Sequence, residues 1–234
     1  MVVERTIGIL RKRIARPILQ GLRRPYVLRQ IASPSEATLL GHRLRTHPEV
    51  FHPVHFASSR VLAEHLLGEP LRGLHLLDMG TGSGPIAVVA AAAGAVVTAC
   101  DINPRAVALA RENSVLNGLN ADVIESDLFA ELADRQFDLI CFNLPFYARD
   151  PVTPLEAAFK AGRNLETVRR FARGCAEHIG AAGRVVVLFS EDSDRDRMLG
   201  AFADANLAIE RRHVVRRFLE DFHLVWFRRD RAQQ

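Results

Sequence analysis

The 234-residue chain is poor in cysteine, tryptophan and tyrosine, with three, one and two of each. Cys100, Cys141 and Cys175 lie far apart with no Cys-x-x-Cys spacing. That argues against a disulfide framework or a zinc cluster, and the three read as buried small hydrophobes in a reducing cytoplasm. Long hydrophobic runs are missing too. The most apolar stretch, residues 85–100, is too short and too glycine-interrupted to span a bilayer, and no secretory signal opens the chain. Internal repeats and low-complexity tracts are absent. Hydrophobic residues make up 48% and charged residues 25%, values of an average globular protein, so a mainly disordered or fibrous chain is excluded. The length suits one α/β domain with a continuous core.

Acidic residues are scarce only at the start. Residues 1–30 hold eight Lys/Arg against the single acid Glu4, net +7, whereas the other 204 residues carry 23 bases against 26 acids, net −3. A uniformly basic nucleic-acid binder would be charged differently. Within that segment Ile7, Leu10, Ile14, Ile18 and Leu22 recur every three or four residues between arginines. The spacing predicts a basic amphipathic helix broken at Pro17. It suits a packing element, a substrate lid or dimer contact, or an RNA or membrane contact, and its composition also resembles a transit peptide. Residues 31–56, richer in Pro, Ser and His, read as a connector with short helical pieces.

From Ser58 the pattern is helical through Val61, Leu62, His65 and Leu66, ending near Gly68 and Pro70. Strand signals then fall at 74–78, 95–101, 121–125, 137–143 and 184–189. Helical stretches at 85–93, 104–117 and 165–179, and a short turn after Asp127, separate them. Such alternation predicts a parallel sheet covered on both faces. The end departs from this rhythm. Runs at 207–217 and 222–228 are joined by Leu219-Glu220-Asp221, too short for a crossover helix, so they should pair antiparallel.

Four elements carry chemistry. In the first, Leu76-Leu77-Asp78-Met79-Gly80-Thr81-Gly82-Ser83-Gly84, a strand enters a glycine-rich turn and then a helix. This lets a ligand approach the backbone and meet helix N-terminal amides. Pro85 stands where the dinucleotide fingerprint needs its third glycine, and no Gly-Lys-Ser/Thr follows for a phosphate loop. The second is Asp101, ending the next strand: an acceptor for vicinal ribose hydroxyls, or a turn residue before the helix cap Asn103 and Pro104. The third is Ser126-Asp127-Leu128. Asp127 suits an adenine amino group with Leu128 or Ile102 against the ring, or else caps a helix. The fourth is Asn143-Leu144-Pro145-Phe146. The Asn143 side chain and the Leu144 carbonyl, held rigid by Pro145, can accept both hydrogens of a planar NH2 group while Phe146 or Tyr147 stacks on it, or Asn143 is a turn residue.

In this order, at consecutive strand ends, the four elements resemble the class I S-adenosylmethionine (SAM)-dependent methyltransferases. The Asp78–Gly84 turn, Asp127-Leu128-Phe129 and Phe137-Asp138-Leu139-Ile140-x-x-Asn143-x-Pro145-Phe146 are similar to the HemK/PrmC-like glutamine methyltransferases and related small-domain enzymes. Glu49-Val50-Phe51-His52-Pro53, followed by Ser58 and Leu62, resembles the loop before their first core helix. The resemblance covers residues 49–190. It implies a Rossmann-like α/β fold with a seven-stranded sheet in the order 3-2-1-4-5-7-6, strand 7 antiparallel, and helices on both faces. It divides the chain into an N-terminal segment, 1–56, and a catalytic domain, 57–234. Two departures stand out: Leu144 replaces the first proline of the family's Asn-Pro-Pro-Tyr/Phe, and about 50 residues precede the catalytic part, fewer than the helical bundle of release-factor enzymes.

The resemblance implies SAM as cofactor, S-adenosylhomocysteine as product and no metal. It assigns Asp78, Gly80, Thr81, Gly82, Gly84, Asp101, Ile102, Ser126, Asp127, Leu128 and Asn143 to the cofactor. Asn143, Leu144, Pro145 and Phe146 go to catalysis, and Phe146, Tyr147, Phe51 and His55 to substrate. The expected reaction is direct methylation of a planar amide or amino nitrogen such as a protein glutamine. Alternatives are a small-molecule N- or O-methyltransferase, an rRNA or tRNA base methyltransferase, and a non-enzymatic protein of the same fold. His47, His52 and His55 are open between connector residues, a general base and zinc ligands. A cytoplasmic location and a possible homodimer complete the expectations.

Overall fold

The computed structural model describes Val27, Arg29, residues 31–217 and residues 220–230. The amphipathic helix expected over residues 7–22 lies outside the described residues, as does Leu219 of the terminal connection. A hairpin comes first, β1 (Ser35–Leu39) and β2 (His42–Thr46). Helix α1 (Ala57–Leu66) follows, then β3 (His75–Met79), α2 (Pro85–Ala92), β4 (Val96–Asp101), α3 (Pro104–Leu116) and β5 (Ala121–Glu125). The second half holds β6 (Phe137–Asn143), α4 (Pro154–Ala157), α5 (Glu166–His178), β7 (Ile179–Ser190), α6 (Arg195–Ala203), β8 (Leu207–Arg216) and β9 (Asp221–Arg229).

Seven strands form one sheet in the order β5-β4-β3-β6-β7-β9-β8. Counted from β3, this is the expected 3-2-1-4-5-7-6, with β9 antiparallel to both neighbours and the β3–β7 pairs parallel. The period-two alternation of side chains splits the core between the faces. Leu76, Leu139, Cys141, Val186, Leu188, Leu224 and Trp226 pack with Val61, Leu62 and Leu66 of α1, Ile86 and Val89 of α2 and Val107 of α3. Leu77, Ile140, Phe142, Val187, Phe189, Val225 and Phe227 pack with Phe171 and Cys175 of α5 and Met198 and Phe202 of α6. All three cysteines are buried and unpaired. No helix among the described residues is long and apolar enough to cross a membrane.

The connector corrects one expectation. Residues 35–46 form a β-hairpin, not short helical pieces. Leu40 and Gly41 both have positive φ, 49° and 86°, the backbone that a tight two-residue hairpin turn needs. Leu39 and Leu44 enter the core. The free edge of β2 is held by α3: Asn113 accepts from the Arg45 N–H at 2.7 Å and donates to its carbonyl at 3.0 Å. Asn117 does the same for Arg43, at 3.2 and 2.8 Å. Strand β7 also begins earlier than expected, at Ile179, because Gly180 and Gly183 interrupt the apolar pattern there. Helix α6 was absent from the sequence reading and is capped by Asp194, which accepts from the Arg197 N–H at 3.3 Å.

Candidate active site

The carboxyl ends of β3, β4, β5 and β6 open on one cavity of about 250 Å³. In an open parallel sheet this is where connections diverge and leave room for a ligand. Its floor is the turn after β3. Asp78 is buried, and its Oδ2 accepts from the Thr81 hydroxyl at 2.7 Å and the Ala87 N–H at 3.1 Å. The carboxylate thereby ties the strand end to the first turn of α2. Burial pushes its pKa up to about 7, against the pull of those two donors. Gly80 sits at φ 61°, and a Cβ there would meet the Phe142 ring at 2.5 Å, so only glycine lets the turn lie against β6. Gly84 backs onto Ala110 of α3, away from the cavity.

Asp101 lines the cavity and holds its edge: Oδ2 accepts from the Gly82 N–H at 2.8 Å and Oδ1 from the Asn103 N–H at 2.9 Å. Burial raises its pKa, opposed by these backbone donors. Asn103 caps α3 by accepting from the Arg105 N–H at 3.0 Å. Ile102 is exposed on the cavity rim. Beyond β5, the Ser126 hydroxyl donates to the Leu128 carbonyl at 2.7 Å and accepts from the Glu131 N–H at 3.1 Å, which fixes Leu128 at φ 56° beside the cavity. The Asp127 side chain makes no helix cap. It pairs with Arg170 of α5 at 3.2 and 2.9 Å.

Asn143, the last residue of β6, lines the cavity together with Pro145. Its Nδ2 donates to the Ser58 hydroxyl of α1 at 3.0 Å. Leu144 buries its side chain, and its N–H donates to the Leu188 carbonyl at 2.9 Å, one step of sheet ladder that a proline could not make. Phe51 reaches the cavity and packs on Phe56 and Phe159, centroids 4.6 and 5.2 Å away. Phe146, Tyr147 and His55 are not among the lining residues. The Phe146 and Tyr147 N–H groups both donate to the Phe159 carbonyl, at 3.1 and 2.9 Å, and their rings lie 4.6 Å apart. The His55 ring lies against His52, centroids 4.2 Å apart and tilted by 40°.

His52 holds the loop before α1, its Nδ1 accepting from the Val54 and His55 N–H groups at 3.2 Å each. Burial, then the neighbouring His55, lowers its pKa to about 4, so the ring is a neutral acceptor. Among the described residues no cluster of His, Cys, Asp or Glu is arranged to hold a metal.

Sequence reasoning missed Glu49, Ser59, Lys160 and Arg170, all on the cavity wall. For Lys160 the available signal was length: β6 and α5 are joined by residues 144–165, longer than a plain connection needs. Pro151, Leu155 and Ala158 of that segment roof the cavity.

The cavity fits a cation-bearing nucleoside such as SAM. Asp78 and Asp101 face it without an ion-pair partner among the described residues. A Cβ on Gly82 would have only Val50, 4.0 Å away, as neighbour, so the backbone there is bare toward a ligand. The buried Ser83 hydroxyl, on the lining, has no hydrogen-bond partner among the described residues.

The methyltransferase small-domain family model matches residues 41–212. An inferred protein N5-glutamine methyltransferase of Methanocaldococcus jannaschii is 33% identical over 156 residues, 64% of this chain and 77% of that protein. A release factor glutamine methyltransferase of Cereibacter sphaeroides is 32% identical over 166 residues, 65% of this chain and 58% of that enzyme, so the chain spans little more than half its length. Among solved structures, a Thermus thermophilus 16S rRNA N2 G1207 methyltransferase bound to AdoMet and guanosine superposes with a TM-score of 0.62 at 19% identity, over 84% of this chain and 50% of that one. That likeness is one of fold.

Proposed function

Because the chain belongs to the methyltransferase small-domain family, we propose that it methylates the side-chain amide nitrogen of a glutamine in a protein of the translation apparatus. SAM is the methyl donor, and when bound it supplies a methyl group on a sulfonium that a nitrogen lone pair can displace directly. The observation that carries the reading is that Asn143 and Pro145 line the same cavity as the glycine turn and Asp101. One cavity thus unites an acceptor for a planar amide with a seat for the donor.

In this reading Asp101 holds the ribose, while Asp127 and Leu128 face the adenine. The bare Gly82 backbone and the Ser83 hydroxyl contact the polar end. Asn143 Oδ1 and the Leu144 carbonyl accept the two hydrogens of the acceptor NH2. An amide nitrogen is a poor nucleophile while its lone pair is delocalised. Two acceptors on its hydrogens favour the pyramidal nitrogen, and they gain most as charge develops there in the transition state. After transfer the nitrogen releases one proton and keeps one hydrogen. Alignment in a closed cavity supplies most of the acceleration, of order 7–11 kcal/mol for well-oriented groups. Phe51, backed by Phe56 and Phe159, supplies the apolar wall in place of Phe146 and Tyr147. The buried, unpaired thiols suit a reducing cytoplasm, where such acceptors are found.

The test is transfer of radiolabelled methyl from SAM into a fractionated cell lysate. Label in protease-sensitive material, recovered on glutamine after digestion, supports the reading. Label confined to small molecules or RNA overturns it.

A further inference from the structure

An asparagine amide presents one acceptor and one donor of nearly equal size, and rotation about its last side-chain bond exchanges them. For an acceptor that brings two N–H groups, only one of the two arrangements is productive. With Oδ1 toward the cavity, Asn143 receives a hydrogen. With Nδ2 there, donor meets donor.

The side chain that meets this amide is 85 positions away in sequence. Ser58 is the second residue of α1, a helix anchored in the core by Val61, Leu62 and Leu66. Ser58 is buried, and its Oγ accepts from Asn143 Nδ2 at 3.0 Å. A hydroxyl oxygen can accept here while its own hydrogen rotates elsewhere. Holding Nδ2 against α1 leaves Oδ1 as the Asn143 atom available to the cavity. Ser59, the next residue, lines the cavity but does not touch Asn143 through any hydrogen bond found among the described residues.

We infer that Ser58 is a positioning residue for methyl transfer, locking the Asn143 amide with its oxygen toward the acceptor nitrogen; the chemical part of this rests on the glutamine reading above. Ser58 contacts neither donor nor acceptor and works through Asn143 alone. It should therefore affect turnover and not SAM affinity, and its effect should vanish when Asn143 is gone.

The experiment uses the full chain with Ser58→Ala, Ser58→Cys and Ser58→Thr, each also combined with Asn143→Ala. The first readout needs no acceptor: hydrogen exchange of the Asn143 side-chain NH2, followed by 15N NMR. Exchange should be slow in the wild type and Ser58→Thr and accelerate in Ser58→Ala and in Ser58→Cys, whose thiol accepts only weakly. The second readout is transfer to a purified bacterial translation release factor. Loss of the one hydrogen bond that orients Asn143 predicts a fall in kcat of about tenfold in Ser58→Ala, with the SAM Kd unchanged. Ser58→Thr should recover most of it, and no further loss should appear on the Asn143→Ala background. Unchanged Asn143 exchange in Ser58→Ala, a raised SAM Kd with intact kcat, or a full additive loss in the double variant would each overturn the inference. If the wild type leaves the release factor unlabelled, the glutamine reading has failed on that probe, and the exchange measurement still decides whether Ser58 holds Asn143. Should Ser58→Ala not fold, Ser58→Cys carries the same comparison at nearly native volume.

Discussion

Asp127, just beyond β5, and Arg170 on α5 meet on the cavity lining as a two-point ion pair, Nη1 to Oδ1 at 3.2 Å and Nη2 to Oδ2 at 2.9 Å. Both side chains are about half exposed, 46% and 55%, so the pair adds little to stability, about 1 kcal/mol or less. Its effect is on direction. Arg170 fixes the plane of a carboxylate that would otherwise rotate in solvent.

If that plane is what the adenine side of the donor meets, Arg170→Ala should weaken SAM binding roughly fivefold, the worth of about one hydrogen bond. Asp127→Ala should cost at least as much, and the double variant no more than Asp127→Ala. Melting temperatures should stay close to that of the wild type. Calorimetric titration of SAM into the four proteins checks this, and independent losses would mean that Arg170 acts on its own.

Asp78 gives the fold a pH signature. Its folded pKa is pushed up to about 7 by burial, above the ordinary carboxyl value of 3.8. A group shifted upward contributes stability that is complete below its unfolded pKa and is lost as pH rises through the folded one. Wild-type stability should thus fall relative to Asp78→Asn between about pH 4 and pH 7 and run parallel above. Urea unfolding of both proteins at pH 5 and pH 8 measures the difference. Equal offsets at the two pH values would show that the carboxyl is not shifted.

The glycine turn and the acidic residues of the cavity wall were legible because their signals are local. Asp78–Gly82 and Asp101 stand at the ends of strands of strong β pattern and Asp127 follows one closely, and strand ends in a parallel sheet converge. The cavity roof was not legible, since nothing in the spacing of Leu155 or Lys160 says where a long loop folds back. Asp127 shows the same limit at one residue: its spacing suggests an adenine acceptor or a helix cap, and nothing in it points to the ion pair with Arg170, 43 residues on. The β1–β2 hairpin was hidden because Leu40-Gly41 is not one of the strong Asn-Gly or Asp-Gly turn signals. Phe51 lines the cavity, while Phe146 and Tyr147 are not on its lining, and both their backbone N–H groups are taken up by the Phe159 carbonyl.

Gly80 and Gly82, two of the three glycines of the turn, separate folding from binding. Gly80→Ala combines a left-handed backbone with a collision against Phe142 and should cost about 2–5 kcal/mol of stability. Gly82→Ala, at φ 58° with open space around its Cβ, should cost only about 1–2 kcal/mol yet weaken SAM binding out of proportion. Denaturant titration alongside SAM titration distinguishes the two, and a Gly82→Ala protein that binds SAM normally would remove the turn from the donor site.

Leu144, where the resemblance leads one to expect a proline, adds one hydrogen bond to β7 just beyond the end of β6. Leu144→Pro would remove the N–H that meets Leu188 and vacate a buried leucine position, a combined cost of about 2–4 kcal/mol. Asn143 should remain in place, so turnover measured well below the melting temperature should change less than stability. A large kcat loss with unchanged stability would show that Leu144 shapes the acceptor directly.

The central claim is that Asn143 accepts from a glutamine amide during transfer. Its most direct test is the labelled-methyl reaction with wild type and Asn143→Ala, read by mass spectrometry of the labelled protein together with SAM Kd values. The expected result is one methyl on a glutamine side-chain nitrogen, a fall of about a hundredfold or more in turnover for Asn143→Ala, and a nearly unchanged SAM Kd. A methyl on another atom, or an Asn143→Ala protein that loses SAM affinity as fast as turnover, would contradict it.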